Sequence, residues 1–352
     1  MMRRARRRGA KGKAPPKPGK PRLMFFDATL WSWPWRRSAP ARAAGCEKVP
    51  DQPCCVSCDQ NVGAHLVLDL GARVFAARSA FQAIEVYATR AFGNVLLIDG
   101  DLQLTARDEA YYHEMMVHVP LARSPRPAGA PARVLVVGGG DGGCAREALR
   151  WPNVTVTLVD IDAAVLDAAR RFFPRTAAGL DDPRTTVVVG DGAAFAAAAA
   201  ARGERYDLVV CDSTDCSSRE RASGTLYTDA FLRNVKALIG ETGSFVRNYT
   251  SLLWNLDEAA ATLPRYAAAF GAVAPYAWQQ PTYSSGSYSA LLCGAGAAAP
   301  PADADAVAAE LGDLALGDLS YWTPAVHAAA FALPAHVGRA LFPRPRCPRA
   351  TT

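Results

Sequence analysis

The stretch Arg133-Val-Leu-Val-Val-Gly-Gly-Gly-Asp-Gly-Gly143 decides the fold. Four consecutive apolar residues, Val134 to Val137, read as a strand buried on both faces, and they run straight into glycines. The next residues, "GCAREALRW", take up helical spacing. Strand, glycine turn and helix then recur: "VTVTLVDID" before "AAVLDAARRFF", "TTVVVGDG" before the alanine run 193–201, and "YDLVVCDS" as a fourth strand. Alternation of this kind predicts a doubly wound α/β domain whose mostly parallel sheet carries helices on both faces. In such sheets ligands bind at the carboxyl ends of the strands. Asp141, Asp160, Asp191 and Asp212 all stand there, and Asp215 follows three residues after the last of them.

Upstream, 65–105 contains short alternating runs broken by Gly, Asn and Asp, which predicts a small β-rich unit with hairpins. "DEAYYHEMMVHVPLA" follows with helical spacing. The domain plan is thus a basic N-terminal extension over 1–60, largely disordered; a small β-domain with its linking helix over 61–123; and a Rossmann-like catalytic domain over 124–345.

Charge is unevenly spread. The first 60 residues hold 14 Lys/Arg against 4 Asp/Glu, so a chain of formal charge +6 has a body of about −4. A mildly acidic body suits a small cationic substrate better than nucleic acid. The opening "MMRRARRRGAKGKAPPKPGKPR" reads as a solvated extension, an organelle-targeting segment or a polyanion-binding tail; it has no apolar core of the kind a secretory signal needs. A cytoplasmic location without membrane contact is expected, with organelle targeting by this basic segment as the alternative. Cys46, Cys54, Cys55 and Cys58 crowd ahead of the main domain, but a single CxxC falls short of the two spaced pairs of a zinc site. No metal is expected.

Gly138, Gly140 and Gly143 satisfy GxGxxG, a pattern shared by dinucleotide and methyltransferase-like enzymes. A carboxylate within the turn, Asp141, would repel a pyrophosphate and attract a cation. Asp160 is placed to accept from ribose hydroxyls, and Asp191 in "GDG" from an exocyclic adenine amine. Each strand-end Asp taken singly is equally a turn or helix cap. Together they suit a nucleoside bearing a positive charge.

Seven stretches carry a resemblance to the spermidine synthase (polyamine aminopropyltransferase) family: "FQAIEVY", "GNVLLIDGDLQLTARDEAYYHEMMVHVPL", "VLVVGGGDGG", "GDGAAF", "DLVVCDSTD", "QPTYSSGSYS" and "YWTPAVHAAAFALP", in the family's order from about 65 to 342. The resemblance implies a methyltransferase-like Rossmann domain behind a small β-domain, a homo-oligomer (dimer or tetramer), and aminopropyl transfer from decarboxylated S-adenosylmethionine to putrescine, with no tightly bound cofactor. It implies donor contacts from Gln82, His113, Gly138, Gly140, Asp141, Asp160, Asp191 and Gly192, acceptor contacts from Tyr112, Asp215 and Tyr283, and Asp212 as the catalytic carboxylate. Alternatives are a spermine or thermospermine synthase, an S-adenosylmethionine-dependent amine N-methyltransferase, or a non-catalytic homologue. Departures fall on the acceptor side: Cys216 replaces a proline, "SSRERASG" lengthens the following loop, and Asn248 replaces a Gln. His327 is expected to be structural.

Overall fold

The computed structural model describes residues 54–59, 64–127, 129–214, 222–299, 303–312 and 316–343. All belong to one compact unit, Gly45–Thr352.

A two-stranded ribbon comes first, β1 (Cys54–Asp59) paired antiparallel with β2 (Ala64–Asp69). Residues 54–59, placed within the N-terminal extension from the sequence, form the first strand of this ribbon. The reason is local. "CCVSCD" and "AHLVLD" are two six-residue runs that pair throughout, and a run with a partner strand is not a loose tail. The CxxC therefore lies on a strand; Cys46 lies outside the described residues.

An antiparallel meander follows: β3 (Arg73–Arg78), β4 (Ala83–Thr89), β5 (Gly93–Ile98) and β6 (Asp101–Thr105), adjacent in that order. Asp99 and Gly100 make the two-residue turn between β5 and β6 with φ of +52° and +85°. Asp-Gly is the pair that a tight hairpin with two left-handed residues prefers. One face of this meander, including Ile84, Val86, Leu96 and Leu104, packs against Val165, Ala168 and Phe173 of the larger domain.

The linking helix α1 (Glu109–Ala122) is buried on nearly every side from Tyr112 onward. Then come β7 (Ala132–Gly138), α2 (Gly143–Leu149), β8 (Val154–Asp160), α3 (Ala163–Phe172), β9 (Thr185–Val189), α4 (Gly192–Ala201), β10 (Leu208–Asp212), α5 (Asp229–Ile239), β11 (Ser244–Asn248), α6 (Leu256–Phe270), β12 (Val273–Gln279) and β13 (Ser287–Gly294). Four short helices complete the order, α7 (Ala295–Ala298), α8 (Ala304–Leu311), α9 (Pro324–Ala330) and α10 (Ala335–Leu341). The seven strands lie in the order β12-β13-β11-β10-β7-β8-β9, and β13 alone runs antiparallel to the rest.

The continuous apolar run of β7 serves both faces of the sheet. Val134 and Val136 enter the core that holds Met115 and Met116 of α1, while Leu135 and Val137 enter the opposite core with Phe231 and Leu232 of α5. Period-two alternation with both faces covered is why Val134 to Val137 has no polar position. Strand order reverses between β7 and β10, and the crevice for a ligand opens at the carboxyl ends of those two strands. The predicted α/β architecture is observed.

Candidate active site

Gly138 ends β7 directly beside Asp212 at the end of β10. A Cβ at Gly138 would sit 2.1 Å from the Asp212 carbonyl oxygen, and φ there is +81°. Only glycine satisfies both demands. The Gly139 amide then donates to that same carbonyl at 2.7 Å. The turn is thus clipped to the strand that carries the acid, and the Asp212 side chain is delivered to a fixed place.

A cavity of about 490 Å³ opens over these strand ends. Gln82, Tyr112, His113, Gly138, Gly140, Asp141, Asp160, Asp191, Gly192, Asp212 and Tyr283 all line it. They come from the meander, α1, four strand ends and the turn after β12, so the fold brings together every site residue read from the sequence save one. Asp215 lies outside the described residues, as do Cys216 and 217–221 of the lengthened loop.

The Asp212 carboxylate is held on both oxygens. Tyr112 Oη donates to Oδ1 at 2.6 Å, and Cys144 Sγ approaches Oδ2 at 3.3 Å as a thiol donor. Burial raises the Asp212 pKa, and the nearby Asp141 charge adds to the rise; His113 and the two donors oppose it. The balance is a carboxylate more basic than an exposed one.

Asp160, at the end of β8, accepts from Gly140 N on Oδ2 and from Asp162 N on Oδ1, each at 2.9 Å. Burial still pushes its pKa up to about 6. Gln82 reaches the site through Asp162, donating to Oδ2 at 3.0 Å. Asp191 is the N-cap of α4: its Oδ1 accepts from Ala193 N at 2.7 Å and Ala194 N at 3.1 Å. The cap and the cavity position coexist, since both bonds end on one oxygen. Tyr283 Oη donates to the Gln103 carbonyl at 3.0 Å, tying the turn after β12 to β6.

His113 sits between two carboxylates, with Nδ1 2.7 Å from Glu109 Oε2 and Nε2 3.2 Å from Asp141 Oδ1. Burial lowers its pKa, but the two acids outweigh that and raise it well above the usual value, so the ring is an imidazolium. Asp141 is driven up by burial and further down by His113, for a net lowering. Arg146 closes the chain with two bonds to Glu109, at 2.7 and 2.9 Å. Burial opposes ionisation of Glu109, yet His113 and Arg146 bring its pKa down to about 2.

Glu109, Arg146 and Cys144 escaped the sequence reading. Glu109 was visible as the residue four before His113 on one helix face; Arg146 meets it only through the packing of α2 against α1, and Cys144 meets Asp212 only where α2 follows the glycine turn beside the end of β10.

Donor atoms of His113, Cys144 and Asp212 lie within 4.8 Å of one another. Burial and the charges of Asp212 and Asp141 hold the Cys144 thiol protonated, its pKa well above the usual value. A metal here would have to displace protons from both thiol and imidazolium, against the carboxylates that hold them. The three groups are already satisfied as a hydrogen-bonded set.

A parallel sheet with a glycine turn, strand-end acids and a buried, doubly tethered carboxylate defines a nucleoside-dependent transferase of the methyltransferase-like class. Residues 109–299 match the family model "Spermine/spermidine synthase domain", and residues 59–106 match "Spermidine synthase tetramerisation domain". The chain is 34% identical over 266 residues to a spermidine synthase of Dictyostelium discoideum, covering 75% of this chain and 88% of that one. It is 35% identical over 265 residues to a polyamine aminopropyltransferase of Enterobacter sp. strain 638, again covering 75% and 88%. Among solved structures it resembles the spermidine synthase of Thermotoga maritima, with a TM-score of 0.71, 27% identity, and 83% and 94% of the chains covered. It also resembles a spermidine synthase in complex with the transition-state analogue AdoDATO, with a TM-score of 0.69, 28% identity, and 79% and 90% covered. The chain belongs to the spermine/spermidine synthase family, and it is an enzyme of the aminopropyltransferase kind. Its match to a tetramerisation domain points to an oligomer. Among the described residues no helix is long and apolar enough to cross a membrane.

Proposed function

We propose that the chain transfers the aminopropyl group of decarboxylated S-adenosylmethionine to putrescine, giving spermidine and methylthioadenosine. The observation that carries this reading is Asp212: a buried, basic carboxylate tethered at both oxygens and facing a cavity walled by further acids. A primary amine is protonated near neutral pH and attacks only after losing a proton. Asp212 takes that proton from the amine nitrogen. The nitrogen lone pair then forms a C–N bond to the methylene beside the sulfonium, while the C–S electron pair goes to sulfur. Neutral methylthioadenosine leaves, and the product retains the positive charge on its new secondary amine. The reaction needs no covalent enzyme intermediate, so the work of the protein is alignment and electrostatics.

On this reading Asp160 accepts from the ribose hydroxyls, Asp191 from the adenine amine, and Gly138, Gly140 and Gly192 let the nucleoside approach the backbone. Gln82, His113 and Asp141 border the donor. Asp141, ionised and paired with the His113 imidazolium, faces the donor's cationic end. Tyr112 orients Asp212 and the nucleophile, Tyr283 covers the methylenes of the amine, and Asp215 anchors it. The functional unit is an oligomer, a dimer or tetramer of this chain.

The test offers purified protein intact or decarboxylated S-adenosylmethionine with a panel of di- and triamines. Methylthioadenosine is expected from the decarboxylated donor with putrescine. A preference for a triamine would move the assignment to a spermine or thermospermine synthase. Methyl transfer from the intact donor, or no turnover with any pair, would overturn it.

A further inference from the structure

We propose that Cys144 is a positioning residue for the base: its thiol donates to Asp212 Oδ2 and, with Tyr112 on Oδ1, fixes the plane of the carboxylate that receives the amine proton. The inference rests on the reading of Asp212 as that base.

Cys144 lies in the first turn of α2, directly after the glycines of 138–143, and is fully buried. Its Sγ is 3.3 Å from Oδ2, a normal length for a thiol donating to oxygen. The proton is on sulfur: burial first, then the charges of Asp212, Asp141 and Glu147, disfavour the thiolate and outweigh the His113 ring nearby. The groups acting on Asp212 are Tyr112 and His113 from α1, Asp141 from the glycine turn, and Cys144 from α2. Of these, Tyr112 and Cys144 alone hydrogen-bond its carboxylate, one to each oxygen.

The chemistry explains why a thiol serves. A carboxylate held by one donor at Oδ1 remains free to swing Oδ2 about the Cβ–Cγ bond, and a small error in alignment is costly in a displacement that depends on orientation. A second donor stops that motion. Each hydrogen bond to the ionised form also makes the base weaker. A hydroxyl would bond strongly and cost more basicity; S–H is a weak donor. Cys144 therefore orients Oδ2 while leaving Asp212 basic. A Cβ at Gly139 would come within 3.1 Å of Oδ2, so the glycine leaves room beside that oxygen.

The test compares Cys144→Ala with Cys144→Val. Both remove the donor, and valine fills the space. Both are expected to lower kcat about three- to tenfold, the worth of one weak hydrogen bond, with the dissociation constant of the donor nucleoside unchanged. In both, the acid limb of kcat/KM moves to higher pH, because the ionised carboxylate has lost a stabilising donor. An unmoved acid limb in both variants would overturn the proposal. So would recovery of wild-type kinetics by valine alone, which would make Cys144 a space-filling residue. A second measurement does not depend on either variant folding: the S–H stretching band of wild type contains a hydrogen-bonded component that should shift to higher frequency in Asp212→Ala. An identical band in the two proteins would also refute the contact. Full turnover in Asp212→Asn is a separate result, and it would remove the base itself rather than its support.

Discussion

The two halves of the cavity are made by different means. On the side proposed for the donor the wall is the sheet itself: Gly138 and Asp160 end β7 and β8, Asp191 follows β9, and the amides of Gly140, in the turn after β7, and Gly190 both donate to Asp160. On the side proposed for the acceptor the wall is assembled from side chains on unrelated elements. Tyr112 comes from α1, Asn248 from the end of β11, and Tyr283 from the turn after β12. The difference teaches where a family can vary. Replacing a donor-side residue disturbs the ends of a parallel sheet, whereas an acceptor-side residue can change without altering strand register. Of this chain's departures, Asn248 lies among these side chains.

Asp212 stands where the halves meet, and substituting it should produce the largest effect. Asp212→Asn keeps shape and one hydrogen-bond acceptor but cannot take a proton. Turnover is expected to fall by about a thousandfold, within the range for loss of a general base, while donor affinity measured by calorimetry changes little. Comparable loss of donor binding would mean that the two halves are not separable at this residue.

Tyr283→Phe probes the acceptor side next. It keeps the ring proposed to cover the amine and removes the hydroxyl that bonds the Gln103 carbonyl. The KM for the amine should rise about three- to tenfold, as for one lost hydrogen bond, and the donor KM should stay put. A change in donor KM alone would break the division between the halves.

The same contrast explains what could be read without a structure. Strand, glycine turn and strand-end acid are local patterns, so Asp141, Asp160, Asp191 and Asp212 were legible one by one, and the sheet's topology guaranteed that they would converge. The strand at 54–59 was not legible, because its strand character depends on pairing with residues 64–69. The pairing of Arg146 with Glu109, and of Cys144 with Asp212, spans 37 and 68 residues respectively. The first depends on how α2 seats against α1 and the second on how the glycine turn meets the end of β10, and no short-range pattern encodes either. Asp191 shows the limit of reading roles from position: the same carboxylate caps α4 and lines the cavity.

Asp160 offers the finest test of the donor half. Burial raises its pKa to about 6, against an ordinary value near 4. The sign follows from linkage. In the free protein the folded state binds a proton between roughly pH 4 and 6 that the unfolded state does not, so this group's ionisation costs stability above pH 6 and the cost disappears as pH falls through that window. A bound cationic nucleoside reverses the preference, because it favours the ionised carboxylate. Donor affinity should therefore rise with pH up to about 6 and then level, by at most about tenfold per pH unit below that point. Asp160→Asn should flatten the profile and leave the protein slightly more stable above pH 6, since a neutral amide still accepts from Gly140 or Asp162 without a buried charge. If the wild-type donor profile is already flat between pH 5 and 7, then Asp160 does not change its ionisation on donor binding, and the strand-end acid serves only to hold the glycine turn through its two backbone amides.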